Sequence, residues 1–82
     1  MLRDRDRLKA EMERLRRHER RMRLRGPDAP AVLVRVGDVI HFDYDHEPRE
    51  VTVVAFRPWG ILGVEAGCEG FKSFRSDRIG RP

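Results

Sequence analysis

The sequence predicts a mainly β protein, one long N-terminal α-helix followed by a small barrel of about five strands. Three observations carry this expectation. Residues 1–25 contain no Gly, Pro or β-branched residue. From Val32 onward, short apolar runs alternate with polar residues and are punctuated by turn formers about every ten residues. Charge divides at the same place: residues 1–25 hold eleven Lys and Arg against five Asp and Glu, the remainder seven against nine, within a net charge of +4. The chain therefore divides into a basic helical arm (1–25), a linker (26–31, "GPDAPA") and a β body (32–82).

The helix expectation rests on local propensity. Leu, Arg, Glu, Met and Ala all favour helix. Asp4 and Asp6 lie near its start and Arg21, Arg23 and Arg25 near its end, which suits the helix dipole. Gly26-Pro27 is a stop signal. Glu13 with Arg17, and Glu19 with Arg23, are spaced for i,i+4 pairs. Met1, Leu8, Leu15 and Met22 recur every seven residues, with Met12 between Leu8 and Leu15. Arg5 and Glu19 interrupt the other intermediate positions. A seam of Leu8, Met12, Leu15 and Met22 serves either a short coiled coil with another copy or one stripe packed on the body. Arg14, Arg17 and Arg21 are the candidate nonspecific phosphate contacts. The five acids among them equally suit a solvated helix.

The body reads as a series of short strands. "VLVRV" is broken by Gly37-Asp38. "VIHFDYD" alternates, Ile40, Phe42 and Tyr44 against His41, Asp43 and Asp45. In "EVTVVAF", Val51, Val53 and Ala55 oppose Thr52, Val54 and Phe56. "WGILGVEA" follows the break at Arg57-Pro58, and "FKSFR" follows the turn at 67–70. Short strands at this spacing suggest a strongly bent sheet of SH3-like or Sm-like type.

The closing stretch, "FKSFRSDRI", is the main candidate for chemistry. As one flat strand it would scatter its apolar residues over both faces. A break near Ser76-Asp77 lets Phe74 point inward, Asp77 shape a turn and Ile79 re-enter the core. Arg75 and Arg78 then flank the turn. Two guanidiniums there make an anion or phosphate site, or Asp77 pairs with one of them and the cluster only fixes the turn. Trp59, after Pro58, is either a stacking platform or a core residue.

Other chemistry is weakly indicated. Cys68 is the single cysteine, so no intrachain disulfide forms. His41, Asp43, Asp45, His46 and Glu47 read as a hydrated hairpin rather than a metal site, because neither CxxC nor HExxH spacing occurs. No phosphate-binding glycine loop and no nucleophile–base pair is visible, so neither catalysis nor a cofactor is expected. Charged residues are 39% of the chain and no run of about 18 apolar residues exists, which excludes a helical membrane span. The N-terminus lacks the apolar segment of a secretory signal, so a cytoplasmic location is expected.

"FRSDRI" resembles the Phe-Arg-x-Asp-Arg-Ile signature that closes the WYL domain. "WGILGVEAG" resembles the family's Trp-Tyr-Leu strand, and "VIHFDYD" its opening strand. The resemblance covers about residues 36–80, with Gly60 where the family's Tyr is expected and Ser76 in place of a usual Leu. It implies an SH3-like, Sm-like barrel serving as a ligand-sensing or nucleic-acid-binding module in bacterial and phage regulators. It also implies groove cations at Arg75 and Arg78, a groove wall or packing role for Trp59, and Lys72 as a further contact. A single helix in place of a helix-turn-helix argues against sequence-specific DNA reading. The expected function is a binding module for nucleic acid or a nucleotide-like ligand, as a dimer or higher oligomer. The alternative is a non-catalytic adaptor that self-assembles as a dimer or Sm-like ring, or docks on a larger partner through its helix.

Overall fold

A computed structural model of the chain describes residues 18–80. These residues form six strands: β1 (Glu19–Met22), β2 (Val32–Arg35), β3 (Val39–Tyr44), β4 (Glu47–Arg57), β5 (Gly60–Glu65) and β6 (Lys72–Arg75). β1 and β2 make a two-stranded antiparallel sheet, and β3-β4-β5-β6 a four-stranded antiparallel sheet in chain order.

Two parts of the expected architecture are corrected. The chain is mainly β, but about five strands in one barrel become six strands in two sheets. The long N-terminal helix is also overturned where it can be seen. Glu19–Met22, its expected last part, is a strand paired with β2, and no helical element is present among the described residues. Leu8, Met12, Leu15, Arg14 and Arg17 lie outside the described residues.

Burial explains why "ERRM" becomes a strand. Met22, assigned to the seam, is 7% exposed and belongs to the core with Val34 and Ile79. Arg20 lies opposite Val34 in the ladder and stacks its guanidinium over Phe56, 5.2 Å from the ring centroid. Its Nη1 donates to the carbonyls of Arg57 (2.8 Å) and Gly60 (3.2 Å). Glu19 pairs with its cross-strand partner Arg35 at 3.5 Å, rather than with Arg23. Arg23 instead donates to the Pro27 carbonyl at 2.7 Å. Helix propensity differs between residues by only about 0.7 kcal/mol each. Burial of Met22 and a paired backbone exceed that preference.

Turn chemistry and one bulge set the larger sheet. Asp45 and His46 form the two-residue β3–β4 turn with φ of 51° and 66°, the left-handed pair of a type I′ hairpin. The β4–β5 register shifts between Val53 and Ala55. That bulge buries Phe56 on the same side as Val51 and Val53, whereas strict alternation places it opposite them. Phe42, Tyr44 and Phe74 meet edge to face with centroids 5.2–6.3 Å apart. Such pairs add about 0.5–1.5 kcal/mol each beyond area burial.

The last described segment links the two edges of the four-stranded sheet. Arg75 N–H donates to the Tyr44 hydroxyl at 3.3 Å, and Gly80 N–H to the Asp43 carbonyl at 2.9 Å. Gly80 has φ of 76°, and a Cβ there would lie 2.7 Å from the Gly26 nitrogen. Only glycine lets the C-terminal turn lie against the β1–β2 loop.

Candidate functional site

The C-terminal turn begins where β6 ends. Phe74 and Ile79 are buried, and the residues between them are exposed. Ser76 N–H donates to the Trp59 carbonyl at 2.9 Å. Arg78 and Ile79 N–H both donate to the Arg75 carbonyl, at 3.0 and 3.2 Å. The turn is therefore tied to the Pro58-Trp59 turn between β4 and β5.

This tie gathers a basic row at one end of the sheet. Arg57 opposes Gly60, and Gly60 opposes Arg75. Two inter-strand spacings set the two arginine Cα atoms roughly 10 Å apart. Both side chains are exposed, and Trp59 beside them is 44% exposed. The centre of the row carries no side chain. A Cβ on Gly60 would lie 2.0 Å from the Phe74 carbonyl oxygen, so close approach of β5 and β6 requires glycine.

The four residues assigned to binding separate into distinct environments. Arg75 and Trp59 lie together. Arg75 is held by Asp77, with Nε 3.3 Å from Oδ1 and Nη2 3.4 Å from Oδ2. Arg78 turns toward the β3–β4 hairpin, its Nη1 3.7 Å from Asp45 Oδ1. These side chains are 55–63% exposed, and exposed ion pairs are worth about 0–1 kcal/mol. An incoming phosphate therefore competes with Asp77 or Asp45 at small cost. Arg57 has no carboxylate partner among the described residues.

Lys72 belongs to another cluster. It shares the inner-facing parity of Phe74 on β6, while Ser73 and Arg75 take the opposite parity. Its Nζ lies 3.6 Å from Glu65 Oε2 and 3.5 Å from Cys68 Sγ. Glu65 also accepts from Arg49 Nη1 at 2.9 Å, and Arg49 Nη2 lies 3.3 Å from Glu47. Burial opposes ionisation of Glu65. The hydrogen bonds from Arg49 and Cys68, with the charges of Arg49 and Lys72, nonetheless hold its carboxyl below the usual range. The hydrogen bond to Glu65 raises the Arg49 guanidinium against its own desolvation, and the charges of Glu65, Glu47 and Asp45 add to the effect. The glutamate side chain is only 13% exposed, so these cations are committed to it.

A cavity of about 300 Å³ adjoins the C-terminal turn. Arg20, Arg21, Arg23 and Ser76 line it together with Met22 and Ile79. No described Asp or Glu lines it. Of these arginines only Arg21 was expected to contact phosphate. Arg20 and Arg23 were hidden by the helix assignment, which separates them from Ser76. Arg57 was also missed, although its signal is present as a cation directly before a Pro-Trp turn. His41 pairs with Glu50 at 3.5 Å, and no three His, Cys, Asp or Glu residues among the described residues come together as a metal-binding group. No helix among them is long and apolar enough to cross a membrane.

No protein-family model matches the chain, and no curated protein and no solved structure matches it either.

Proposed function

We propose that the protein is a non-catalytic module that binds single-stranded nucleic acid or a nucleotide-like ligand at the Arg57–Trp59–Arg75 end of its larger sheet. One observation carries this reading. Two exposed arginines stand in one cross-strand row beside an exposed tryptophan, next to a cavity with arginines and no described carboxylate in its lining. Guanidiniums supply phosphate contacts in a planar fork, and an indole face accepts a base regardless of sequence. The resemblance of "FRSDRI" to the WYL closing signature supports the same end of the molecule, since Arg75, Asp77 and Arg78 all lie at this turn. The basic residues of positions 1–25 add sequence-independent attraction.

Trp59 is the single tryptophan and is a built-in reporter. Titration with a short single-stranded oligonucleotide is expected to quench or shift its emission, with affinity falling as salt rises. Unchanged emission together with unchanged anisotropy of a labelled oligonucleotide at low salt defeats the proposal.

A second reading is favoured by a separate observation. Val32, Leu33, Val36 and Val39 are exposed large apolar residues around the β2–β3 turn, and Val32 and Val39 line a common cavity of about 330 Å³. Such a strip suits association with another copy or a partner protein. Sedimentation of the full chain tests it, with Leu33→Lys as control. A monomer at all concentrations removes self-association.

A further inference from the structure

We infer that the cavity between β1 and the C-terminal turn receives a phosphate monoester, such as the terminal phosphate of a nucleotide or strand. This inference rests on the polyanion-binding reading and assigns a second, more selective contact to it. The row at Arg57 and Arg75 lies on an open surface, where a backbone phosphate carrying one charge can pass. The recess beside the C-terminal turn differs in its lining. Arg20, Arg21 and Arg23 come from four consecutive positions of one strand and its end, Arg20 on the face of Met22 and Arg21 and Arg23 on the other, so they border the cavity around the edge of β1. Ser76 brings a hydroxyl from the other side, and no described acid offsets these charges in the lining.

Donor accounting shows what remains for a ligand. Arg20 commits Nη1 to two carbonyls, and Arg23 commits Nη1 to the Pro27 carbonyl. A guanidinium has five N–H donors, so most stay available. Arg21 is exposed and makes no side-chain hydrogen bond or ion pair among the described residues. Its backbone contributes too. Val36 N–H donates to the His18 carbonyl at 2.8 Å, which sets Arg20–Val34 and Met22–Val32 as the hydrogen-bonded pairs of the ladder. Arg21 therefore turns its N–H away from β2, at the edge of β1.

A phosphate monoester suits this set better than a diester. It carries about −1.5 to −2 charges at neutral pH and three acceptor oxygens at one end. Three arginines and a hydroxyl match that density. The Met22 and Ile79 sides of the cavity meet the organic body, and the volume of about 300 Å³ lies at the lower bound for small-ligand sites.

The test uses the full chain and two labelled tetrathymidylates, one with a 5′-phosphate and one with a 5′-hydroxyl. The phosphorylated strand is expected to bind about tenfold or more tightly. Arg21→Gln, an exposed change that leaves the core intact, is expected to abolish that difference; Arg21 also belongs to the basic residues that attract any strand, so hydroxyl-ended binding weakens as well, and the readout is the ratio of the two affinities in each protein. Ser76→Ala is expected to reduce the difference without removing it. Thymidine 5′-monophosphate as competitor separates a free nucleotide from a strand end, since competition equal to that of the phosphorylated strand identifies the former. Equal affinity for both strands in the unaltered protein overturns the inference and leaves the surface reading standing, as does discrimination that survives Arg21→Gln. Failure to bind either strand defeats both.

Discussion

The two ends of β6 use cations in opposite ways. At the Lys72 end, Lys72 and Arg49 converge on Glu65, a carboxylate 13% exposed. At the Arg75 end, the carboxylates are Asp77 and Asp45, both more than half exposed, and Arg57 has none among the described residues. The burial of the acid decides how firmly the cation is held. An exposed pair is screened and replaceable, whereas a charge largely withdrawn from water depends on its partners. A basic residue in a sequence is thus not by itself a binding residue.

Four experiments sharpen or break this contrast. The largest effect is expected from Gly60→Ala, which drives a Cβ into the Phe74 carbonyl at the centre of the basic row. A loss of about 3 kcal/mol or more in unfolding free energy is expected, readable as a fall of about 12 °C or more in Tm. A variant melting within two degrees of the parent would show that β5 and β6 can part at this point. Next, Arg57→Gln with Arg75→Gln is expected to weaken oligonucleotide binding about tenfold and to lower the salt slope by about 1.4, at unchanged Tm. Retained affinity and slope would place the contacts elsewhere.

Glu65 gives the third experiment, through pH. Its folded carboxyl titrates below its unfolded value, so its stabilising contribution is complete above the unfolded carboxylate range. That contribution is lost as pH falls through the lower folded value. Urea denaturation at neutral and acid pH is expected to show a smaller acid loss for Glu65→Gln than for the parent. Parallel losses in the two proteins would deny the cluster its role. The smallest effect is expected from Lys72→Gln, with binding unchanged within about twofold and stability slightly reduced. A tenfold fall in affinity would return Lys72 to the binding surface and erase the difference between the two ends.

Parts of this arrangement are legible in the sequence. The alternation of Ile40, Phe42 and Tyr44 marks the buried face of β3, and all three are buried. Phe74 and Ile79, on either side of Ser76-Asp77, signal a strand, a turn and a return to the core. Glu19–Met22 was not legible. Its composition favours helix, and only a distant partner, β2, makes its strand worthwhile. Phe56 was misplaced because a bulge adds one residue without a local sequence mark. Grouping Lys72 with Arg75 failed for a related reason. Three residues apart on one strand, they point to opposite faces.

The sequence by itself determined the β character of residues 32–80, the punctuation of its turns and the buried positions of Ile40, Phe42, Tyr44, Phe74 and Ile79. Those properties follow from alternation and turn chemistry, which act over a few residues. Tertiary structure alone decided that Glu19–Met22 is a strand, that Arg57 and Arg75 share a row, and that Arg20, Arg21 and Arg23 meet Ser76 across a cavity. These depend on contacts between residues tens of positions apart, where burial and backbone pairing outweigh local preference.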